Sequence, residues 1–155
     1  PGLRFEQASV EHGANWGMTK RVLDGHLETL ESGAESARTI LKAGGRLGLG
    51  GDYGFAWTPH GDYAKELTFF VDYVGFSVLD TIKCATKTGA EIIGRGHELG
   101  TLETGKLADL IVVNGDVASN IALLEDRSRF LAVMQGGEIK AGQLKHAVLP
   151  PLRAN

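Results

Sequence analysis

Asp52 and His60 are the two residues of this sequence whose types and spacing point most directly to chemistry. Asp52 follows the apolar residues 46–50 after one glycine, and His60 lies eight positions further along the same loop. A carboxylate at such a place can ligate a metal or accept a proton from water, and an imidazole can bind substrate, polarise a carbonyl or ligate a metal. Asp52 can equally cap the turn through an Asx hydrogen bond, and His60 can be a loop histidine held by hydrogen bonds.

The segments around Asp52 fit an α/β fold. Residues 46–50 (Arg-Leu-Gly-Leu-Gly) are apolar and bounded by glycines, which is typical of a buried strand in a parallel sheet. Because ligands of α/β folds bind beyond the carboxyl ends of such strands, Asp52 is expected at a ligand-binding edge. Residues 51–61 form a glycine-rich loop. Three aromatic side chains either line a pocket there or fill the loop: Tyr53, Phe55 and Trp57.

The spacing of apolar residues predicts helices on both sides of this strand and loop. Residues 19–44 read as helix with an interruption at Gly33, where a capping box at 32–35 predicts the start of a second helix. Residues 62–74 form the next predicted helix, with Asp62 as its N-cap. The order of strand, loop and helix is that of one α/β unit.

A second capping box, at residues 77–80, opens a further helix. We expect the inner face of this helix to hold Leu79, Ile82 and Ala85. Residues 1–18 show no clear period, so they are expected to form a loop.

The pattern changes to short β-segments after about residue 99. Residues 109–114 are a β-rich run that ends at Asn-Gly. Residues 130–141 contain two such runs joined across Gly-Gly, which predicts a hairpin. The last part of the chain therefore indicates a small β-layer separate from the α/β part.

The composition excludes several classes of function. A net charge of -3 and a pI near 6.0, without a basic patch, argue against a nucleic-acid partner. No apolar run approaches the ~18 residues needed to span a bilayer, and the first ten residues lack the basic and apolar regions of a secretory signal. The single cysteine, Cys84, favours a reducing, cytoplasmic compartment, and its place among apolar helical neighbours indicates an inert thiol.

The spacing of histidine and cysteine does not provide a complete metal site. The sequence has five histidines and one cysteine, without a His-x-His, His-Glu-x-x-His or Cys-x-x-Cys motif. His26 lies on an apolar helical face, which favours a packing role. Gly48-x-Gly50-x-x-x-Gly54 is loosely similar to a dinucleotide-binding loop, but residues 57–60 separate it from the next helix.

Four stretches, residues 43–52, 59–67, 85–94 and 100–116, carry motifs that can be compared with a known family. Together they resemble the C-terminal third of the amidohydrolase superfamily of metal-dependent hydrolases. The similarity is strongest to imidazolonepropionase-like and Xaa-Pro-dipeptidase-like members and spans roughly residues 20–142. The fourth stretch, GTLETGKLADLIVVNGD, is the most specific of the four.

The resemblance implies a (β/α)8 barrel with one or two divalent metals, zinc being the expected ion, at the carboxyl ends of its strands. Asp52 matches the aspartate after the last barrel strand, which in the family ligates a metal, orients the attacking water and carries its proton to the leaving group. His60 matches a loop position near the substrate. Lys106 and Asp109 belong to the signature of the small β-domain and are expected to be structural.

The chain is too short for a whole barrel, which needs about 250 residues, and it lacks the family's His-x-His pair, its metal-bridging lysine and two further histidines. We therefore expect the C-terminal part of a TIM-like barrel (residues 1–98), a β-rich segment of a composite β-sandwich (99–142) and a tail (143–155).

The expected function is hydrolysis of an amide, cyclic amide or dipeptide C–N bond in a small molecule, by a chain that is inactive alone. Such a chain would need the missing N-terminal barrel segment or further copies of itself, because an incomplete barrel exposes unpaired edges and apolar surface. The alternatives are a non-catalytic assembly fragment that folds by oligomerising, and a small nucleotide-binding α/β domain.

Overall fold

The computed structural model describes residues 2–147 of the chain. Within that range it contains five α-helices and three β-strands, linked by 3-10 and π-helical turns and by irregular segments. In chain order they are α1 (Leu3–His12), α2 (Lys20–Lys42), α3 (Lys65–Phe69), α4 (Val78–Lys83), α5 (Gly89–Ile92), β1 (Leu110–Val113), β2 (Phe130–Gln135) and β3 (Glu138–Ala141).

The core lies where α1, α2 and α3 meet. Phe70, in the π-helical turn Phe70–Val74 that continues α3, is fully buried and packs edge-on against Phe76, with ring centroids 5.5 Å apart. Burying a side chain of this size stabilises the fold by roughly 1.5–3 kcal/mol. The buried cluster consists of Leu3, Leu30, Ala37, Phe69, Phe70 and Val74.

The first segment is helical, so the prediction of a loop over residues 1–18 is wrong for the part described. Helix α1 buries Leu3 and Ala8, but it also buries Arg4 and Ser9. Because half of its buried face is polar, the apolar spacing that reveals a helix in a sequence is missing. Contacts with α2 and α3 hold the helix in place.

Helix α2 runs through Gly33 without a break, so the predicted restart at residues 32–35 is wrong. The Ser32 hydroxyl donates to the carbonyl of Glu28 (2.7 Å) inside the helix and does not cap a new one. A Cβ on Gly33 would lie 3.3 Å from Cδ2 of Leu3. Gly33 therefore lets α1 approach α2 closely.

Residues 46–50 do not form a strand, contrary to the prediction. The segment is irregular and has no ladder partner among the described residues. A strand of a parallel sheet needs neighbouring strands to accept and donate its main-chain hydrogen bonds. Leu47 and Leu49 still pack against the core, as expected of an internal segment.

Helix α3 begins at Lys65, after Ala64, so Asp62 is not its N-cap. The carboxylate of Asp62 lies instead 3.4 Å from Nζ of Lys65 and 3.8 Å from the guanidinium of Arg4. The Asp62 carboxylate therefore forms ion pairs with Arg4 and Lys65 and does not cap helix α3.

Ser77 caps the start of α4 as predicted, since the amide of Asp80 donates to Oγ of Ser77 at 3.1 Å. The Asp80 carboxylate accepts from the Ser77 hydroxyl (2.7 Å), so the box is formed through the two side chains. The predicted inner face is wrong, because Leu79 is 64% exposed and Ala85 is exposed as well. The helix continues as the π-helical turn Cys84–Thr88, and the buried residues lie on the other side. They are Thr81, Cys84 and Thr88.

The three strands form one antiparallel sheet in the order β1-β2-β3. Leu110 pairs with Met134 across the first ladder, and Gln135 pairs with Glu138 across the hairpin. The predicted strand at 109–114 and the predicted hairpin at 130–141 are both present. Asp109 accepts a hydrogen bond from the amide of Gly136 at 2.7 Å, which fixes the hairpin turn to the start of β1.

Helices together with a small sheet place the chain in the α/β class, as predicted. The proposed limits at residues 98 and 142 stay predictions, and so does the barrel. In the predicted tail, Gln143–His146 is a 3-10 turn, and residues 148–155 lie outside the described part. No helix within residues 2–147 has the length and apolar character required to cross a membrane.

Candidate active site

The turn at Asp52 has a special backbone. Asp52 has φ +46°, and within residues 2–147 every other residue with positive φ is a glycine. Its main-chain carbonyl accepts a hydrogen bond from Oγ1 of Thr58 (3.3 Å), a residue that is fully buried. Asparagine and aspartate tolerate this left-handed region better than other non-glycine residues do. Non-glycine residues with such angles are uncommon, and they cluster at functional sites.

The carboxylate of Asp52 is exposed and makes no hydrogen bond or ion pair with another described residue. The Asx hydrogen bond that was the alternative role of Asp52 is therefore absent from the described contacts. The turn is held through the main chain, which leaves both carboxylate oxygens able to ligate a cation or to accept a proton.

His60 lies on the same loop, folded back over its beginning. The amide of Gly54 donates to the carbonyl of Thr58 (2.9 Å), and the amide of Thr58 donates to the carbonyl of Phe55 (3.1 Å). A Cβ on Gly54, which has φ +120°, would lie 3.2 Å from Nε2 of His60. Nδ1 of His60 lies 3.3 Å from Oη of Tyr63. The imidazole is exposed, so Nε2 is available to a ligand.

Tyr53 lies across the turn on the other side. Its ring occupies the space in which a Cβ on Gly51 would lie, only 1.9 Å from Cε2. It also packs edge-on against Tyr63 (4.7 Å between ring centroids). Burial, followed by the nearby carboxylates of Glu66 and Asp62, raises the pKa of the Tyr53 phenol, so the group is neutral at physiological pH.

The other two loop aromatics pack against the N-terminal helix. Phe55 and Trp57 are stacked at 5.5 Å, and Phe5 of α1 lies 5.1 Å from Phe55. Trp16 lies 6.2 Å from Trp57. Phe55 and Trp57 therefore fill the space between the loop and helix α1, whereas Tyr53 lines a cavity. The sequence could not separate the two roles, because the partner segment shows no apolar period.

A cavity of about 550 Å³ opens beside this loop. It is lined by Gly51, Tyr53, Glu66 and Arg127 among others, and by Phe130 of β2. Asp52 and His60 are not among its lining residues. The structure thus places both predicted site residues on one loop, beside the cavity and not inside it.

Glu66 is a buried acid that the sequence analysis missed. Its side chain is 2% exposed, and its carboxylate accepts hydrogen bonds from the amides of Leu3 (3.2 Å) and Arg4 (2.7 Å). Burial raises its pKa to about 7, and the two amide bonds oppose that rise. One signal was available: Glu66 shares the helical face of Phe70 and Val74, at spacings of four.

Two other titratable residues have structural surroundings. Nδ1 of His26 lies 2.7 Å from Oε2 of Glu6, and the imidazole packs edge-on against Phe5, consistent with the packing role expected for His26. Cys84 is buried, and burial raises the pKa of its thiol. A thiol with a raised pKa is a poor nucleophile.

Residues 11–140 match the amidohydrolase family. Because the match covers most of the chain, this chain belongs to the amidohydrolase family. The resemblance seen in the four sequence stretches is thereby confirmed. The matched region, residues 11–140, includes the Asp52 turn, His60, strands β1 and β2, and β3 except for its last residue.

Characterised relatives fall into the predicted branch of the family. Imidazolonepropionase from Geobacillus kaustophilus is 26% identical over 137 residues, which are 88% of this chain and 32% of that protein. Ochratoxinase from Aspergillus niger is 28% identical over 129 residues, which are 83% of this chain and 25% of that protein. The chain thus spans about a third or less of the length of these relatives.

Solved structures agree with this assignment. A prolidase complexed with N-methylphosphonate-L-proline matches with a TM-score of 0.77 and 28% identity, over 90% of this chain and 33% of that one. A putative prolidase from Bifidobacterium longum matches with a TM-score of 0.78 and 29% identity, over 87% and 32% of the two chains.

Proposed function

We propose that this chain is the C-terminal portion of a metal-dependent amidohydrolase that cleaves an amide, cyclic amide or dipeptide C–N bond with a water nucleophile. The observation that carries the proposal is the state of Asp52. Its carboxylate stands unpaired among the described residues, on a turn that Thr58 fixes through the main chain. The sequence resemblance matches this residue to the family's metal-ligating aspartate. Membership in the amidohydrolase family supports the reaction type.

The donor set fits one metal ligand and not a complete site. Within residues 2–147 no three His, Cys, Asp or Glu side chains lie together in a way that could hold a metal ion. One carboxylate does not make a tight site. We propose that the other ligands lie on further barrel strands outside these 155 residues, with zinc as the expected ion.

Asp52 would hold the metal and carry a proton. A bound divalent cation lowers the pKa of its water ligand, which is the chemistry that such a metal supplies. The Asp52 carboxylate accepts the proton that the attacking water loses, and it delivers this proton to the nitrogen of the breaking C–N bond. Proton balance is complete, because the carboxylate returns to its ionised form.

His60 is the proposed substrate-binding residue. Its imidazole is exposed, eight positions after Asp52 on the same loop, with Nδ1 directed to the hydroxyl of Tyr63. That contact orients the ring and leaves Nε2 to contact the substrate. The relatives are named for an imidazolone, for ochratoxin and for prolyl dipeptides, so we propose a small molecule with an amide, cyclic amide or dipeptide bond.

The test is Asp52→Asn in the complete polypeptide that carries these residues. We expect kcat to fall by about 10²–10⁴-fold, since that is the usual contribution of a group that transfers a proton, and the bound metal to decrease. Asp72→Asn is the matched control, because Asp72 is an exposed carboxylate on the helix that follows the loop. Hydrolysis by Asp52→Asn at the rate of the Asp72→Asn control would exclude the proposal.

A non-catalytic assembly fragment is the second candidate. The observation that favours it is the apolar surface of α4 and α5, where Leu79, Ile92 and Ile93 are each 64% exposed. A chain that buries this surface against copies of itself would be an oligomer without metal. Light scattering and metal analysis of the isolated 155 residues test this candidate: a metal-free oligomer supports assembly, and a monomer excludes it.

A further inference from the structure

Glu66 links the start of helix α1 to helix α3. Oε1 accepts from the amide of Leu3 at 3.2 Å, and Oε2 accepts from the amide of Arg4 at 2.7 Å. The first amides of a helix have no partner within the helix, so a carboxylate placed there satisfies two of them. A single side chain thus fixes the first turn of α1.

The residue before that turn, Gly2, lies close to residues 50–52. A Cβ built on Gly2 would lie 3.7 Å from the carbonyl oxygen of Gly50 and 3.8 Å from Cβ of Asp52, which is van der Waals contact. Gly2 is joined directly to Leu3, whose amide Glu66 binds. The carboxylate of Glu66 therefore binds the residue that follows Gly2, which lies close to the Asp52 turn.

Arg4 places a positive charge near Glu66, which opposes the rise in the Glu66 pKa that burial causes. Arg4 is 4% exposed, and its guanidinium faces Gln7 (2.8 Å), Glu11 (3.4 Å) and Asp62 (3.8 Å). The guanidinium makes no hydrogen bond to Glu66, so both oxygens of Glu66 are used by main-chain amides. Arg4 supplies a buried positive charge nearby without competing for those oxygens.

We propose that Glu66 is a positioning residue for Asp52. By fixing Gly2 and Leu3 in place beside residues 50–52, Glu66 would limit where the Asp52 carboxylate lies relative to the attacking water. The inference rests on the proposed function of Asp52. Misplacing a reacting group by about 1 Å costs on the order of 10²-fold in rate, so an acid that never touches the substrate can still limit kcat.

Glu66→Gln is the first variant, in the complete polypeptide. The amide keeps the shape of the side chain but turns one oxygen into an NH₂ group that faces a main-chain N–H. We expect kcat to fall about tenfold or more with KM little changed. In a double-mutant cycle, Glu66→Gln should cause no further loss of kcat once Asp52 is Asn, because nothing remains to be positioned.

Ser77→Ala is the matched control. It removes the side chain that caps helix α4, away from the Asp52 turn, and so lowers the stability of the fold by the cost of one helix cap. We expect it to lower Tm without lowering kcat. Glu66→Asp retains the charge with a side chain one methylene shorter, and it is the variant to use if Glu66→Gln does not fold.

Hydrogen exchange supplies a readout that does not depend on activity. The amides of Leu3 and Arg4 should exchange faster in Glu66→Gln, and the peptide covering residues 50–54 should exchange faster with them. Ser77→Ala should change neither. Faster exchange at Leu3 and Arg4 without any change at residues 50–54 would overturn the inference.

The two proposals fail in different ways. If Asp52→Asn lowers kcat by about 10²–10⁴-fold and Glu66→Gln lowers kcat by the same factor in both backgrounds, the positioning role of Glu66 falls and the role of Asp52 stands. If Asp52→Asn leaves the rate unchanged, the proposed function falls and the positioning role falls with it.

Discussion

The Glu66 carboxylate and the Arg4 amide are joined by a hydrogen bond of 2.7 Å, although 62 positions separate the two residues in the chain. The bond places an acid inside the helical core, where burial raises its pKa to about 7. Among residues 2–147, Glu66 is therefore the titratable group whose proton affinity near neutral pH differs most clearly between the folded and unfolded states.

Stability should fall as the pH rises from about 4.5 to about 7. The folded protein binds the proton of Glu66 more tightly than the unfolded chain, whose carboxyl has the ordinary pKa of 4.5. Above pH 7 the buried group is charged, and its contribution to the free energy of unfolding is smaller by roughly 3 kcal/mol. Thermal unfolding between pH 4 and 8 measures this slope.

Glu66→Gln tests whether the fall in stability with rising pH comes from Glu66. Its amide does not titrate, so the decline in Tm between pH 4.5 and 7 should flatten. Glu125→Gln is the control: Glu125 is an exposed acid, and we expect the decline in Tm to persist in that variant. An equal decline in Glu66→Gln and in the parent would assign the pH dependence to other groups.

Replacing Asp52 by glycine and by alanine should separate stability from function. With φ at +46°, an alanine at this position is disfavoured by about 1 kcal/mol relative to glycine. We therefore expect Asp52→Gly to unfold at higher urea concentration than Asp52→Ala, while both lose activity. At Asp72, in the π-helical turn Phe70–Val74, the order should reverse, because glycine is the poorer helix former.

Gly51→Ala should disturb the site through Tyr53. The added Cβ would lie 1.9 Å from Cε2 of the Tyr53 ring, so the ring has to move. We expect a loss of about 1–3 kcal/mol in the free energy of unfolding. Gly50→Ala is the neighbouring control, since a Cβ there meets no atom within 4 Å. Denaturant unfolding of both variants gives the comparison, and equal stabilities would contradict the packing of Tyr53.

Lys106→Met should destabilise the segment that leads into the sheet. Nζ of Lys106 donates to the carbonyl of Gly96 (2.8 Å) and to Oγ1 of Thr101 (2.5 Å). Losing these partly buried, charge-assisted bonds is expected to cost about 2 kcal/mol. Lys87→Met, at an exposed lysine, should change stability by less than ~0.5 kcal/mol. Metal content in the complete protein should be unchanged in both variants, because Lys106 is expected to be structural.

Several elements could be predicted because their signals are local. The hairpin at 130–141 follows from two β-rich runs joined across Gly-Gly, and the capping box at Ser77 follows from residues three positions apart. Helix α2 was predicted from apolar spacing, although its continuity through Gly33 was not, because the space that Gly33 provides for Leu3 depends on another helix.

Asp52 and His60 could be selected from the sequence because family motifs surround them, and the structure places both on one loop. The contacts that this loop makes could not be predicted from the sequence. Phe55 and Trp57 pack against α1, a helix whose buried face includes Arg4 and so shows no apolar period. Leu79 is apolar but faces outward, because the described residues place nothing over that side of α4.

The sequence by itself determined the family and the place of Asp52 at the end of an internal apolar segment. It also determined the helices and strands whose apolar spacing and turn residues lie within a few positions of one another. Only the tertiary structure decided that Glu66 binds the start of α1 and that Asp52 is held through its main chain. It also decided that residues 46–50 have no strand partner among the described residues. The reason is physical: periodicity and turn geometry depend on neighbours in the chain, whereas burial, hydrogen-bond partners and strand pairing depend on residues that folding brings together from far apart.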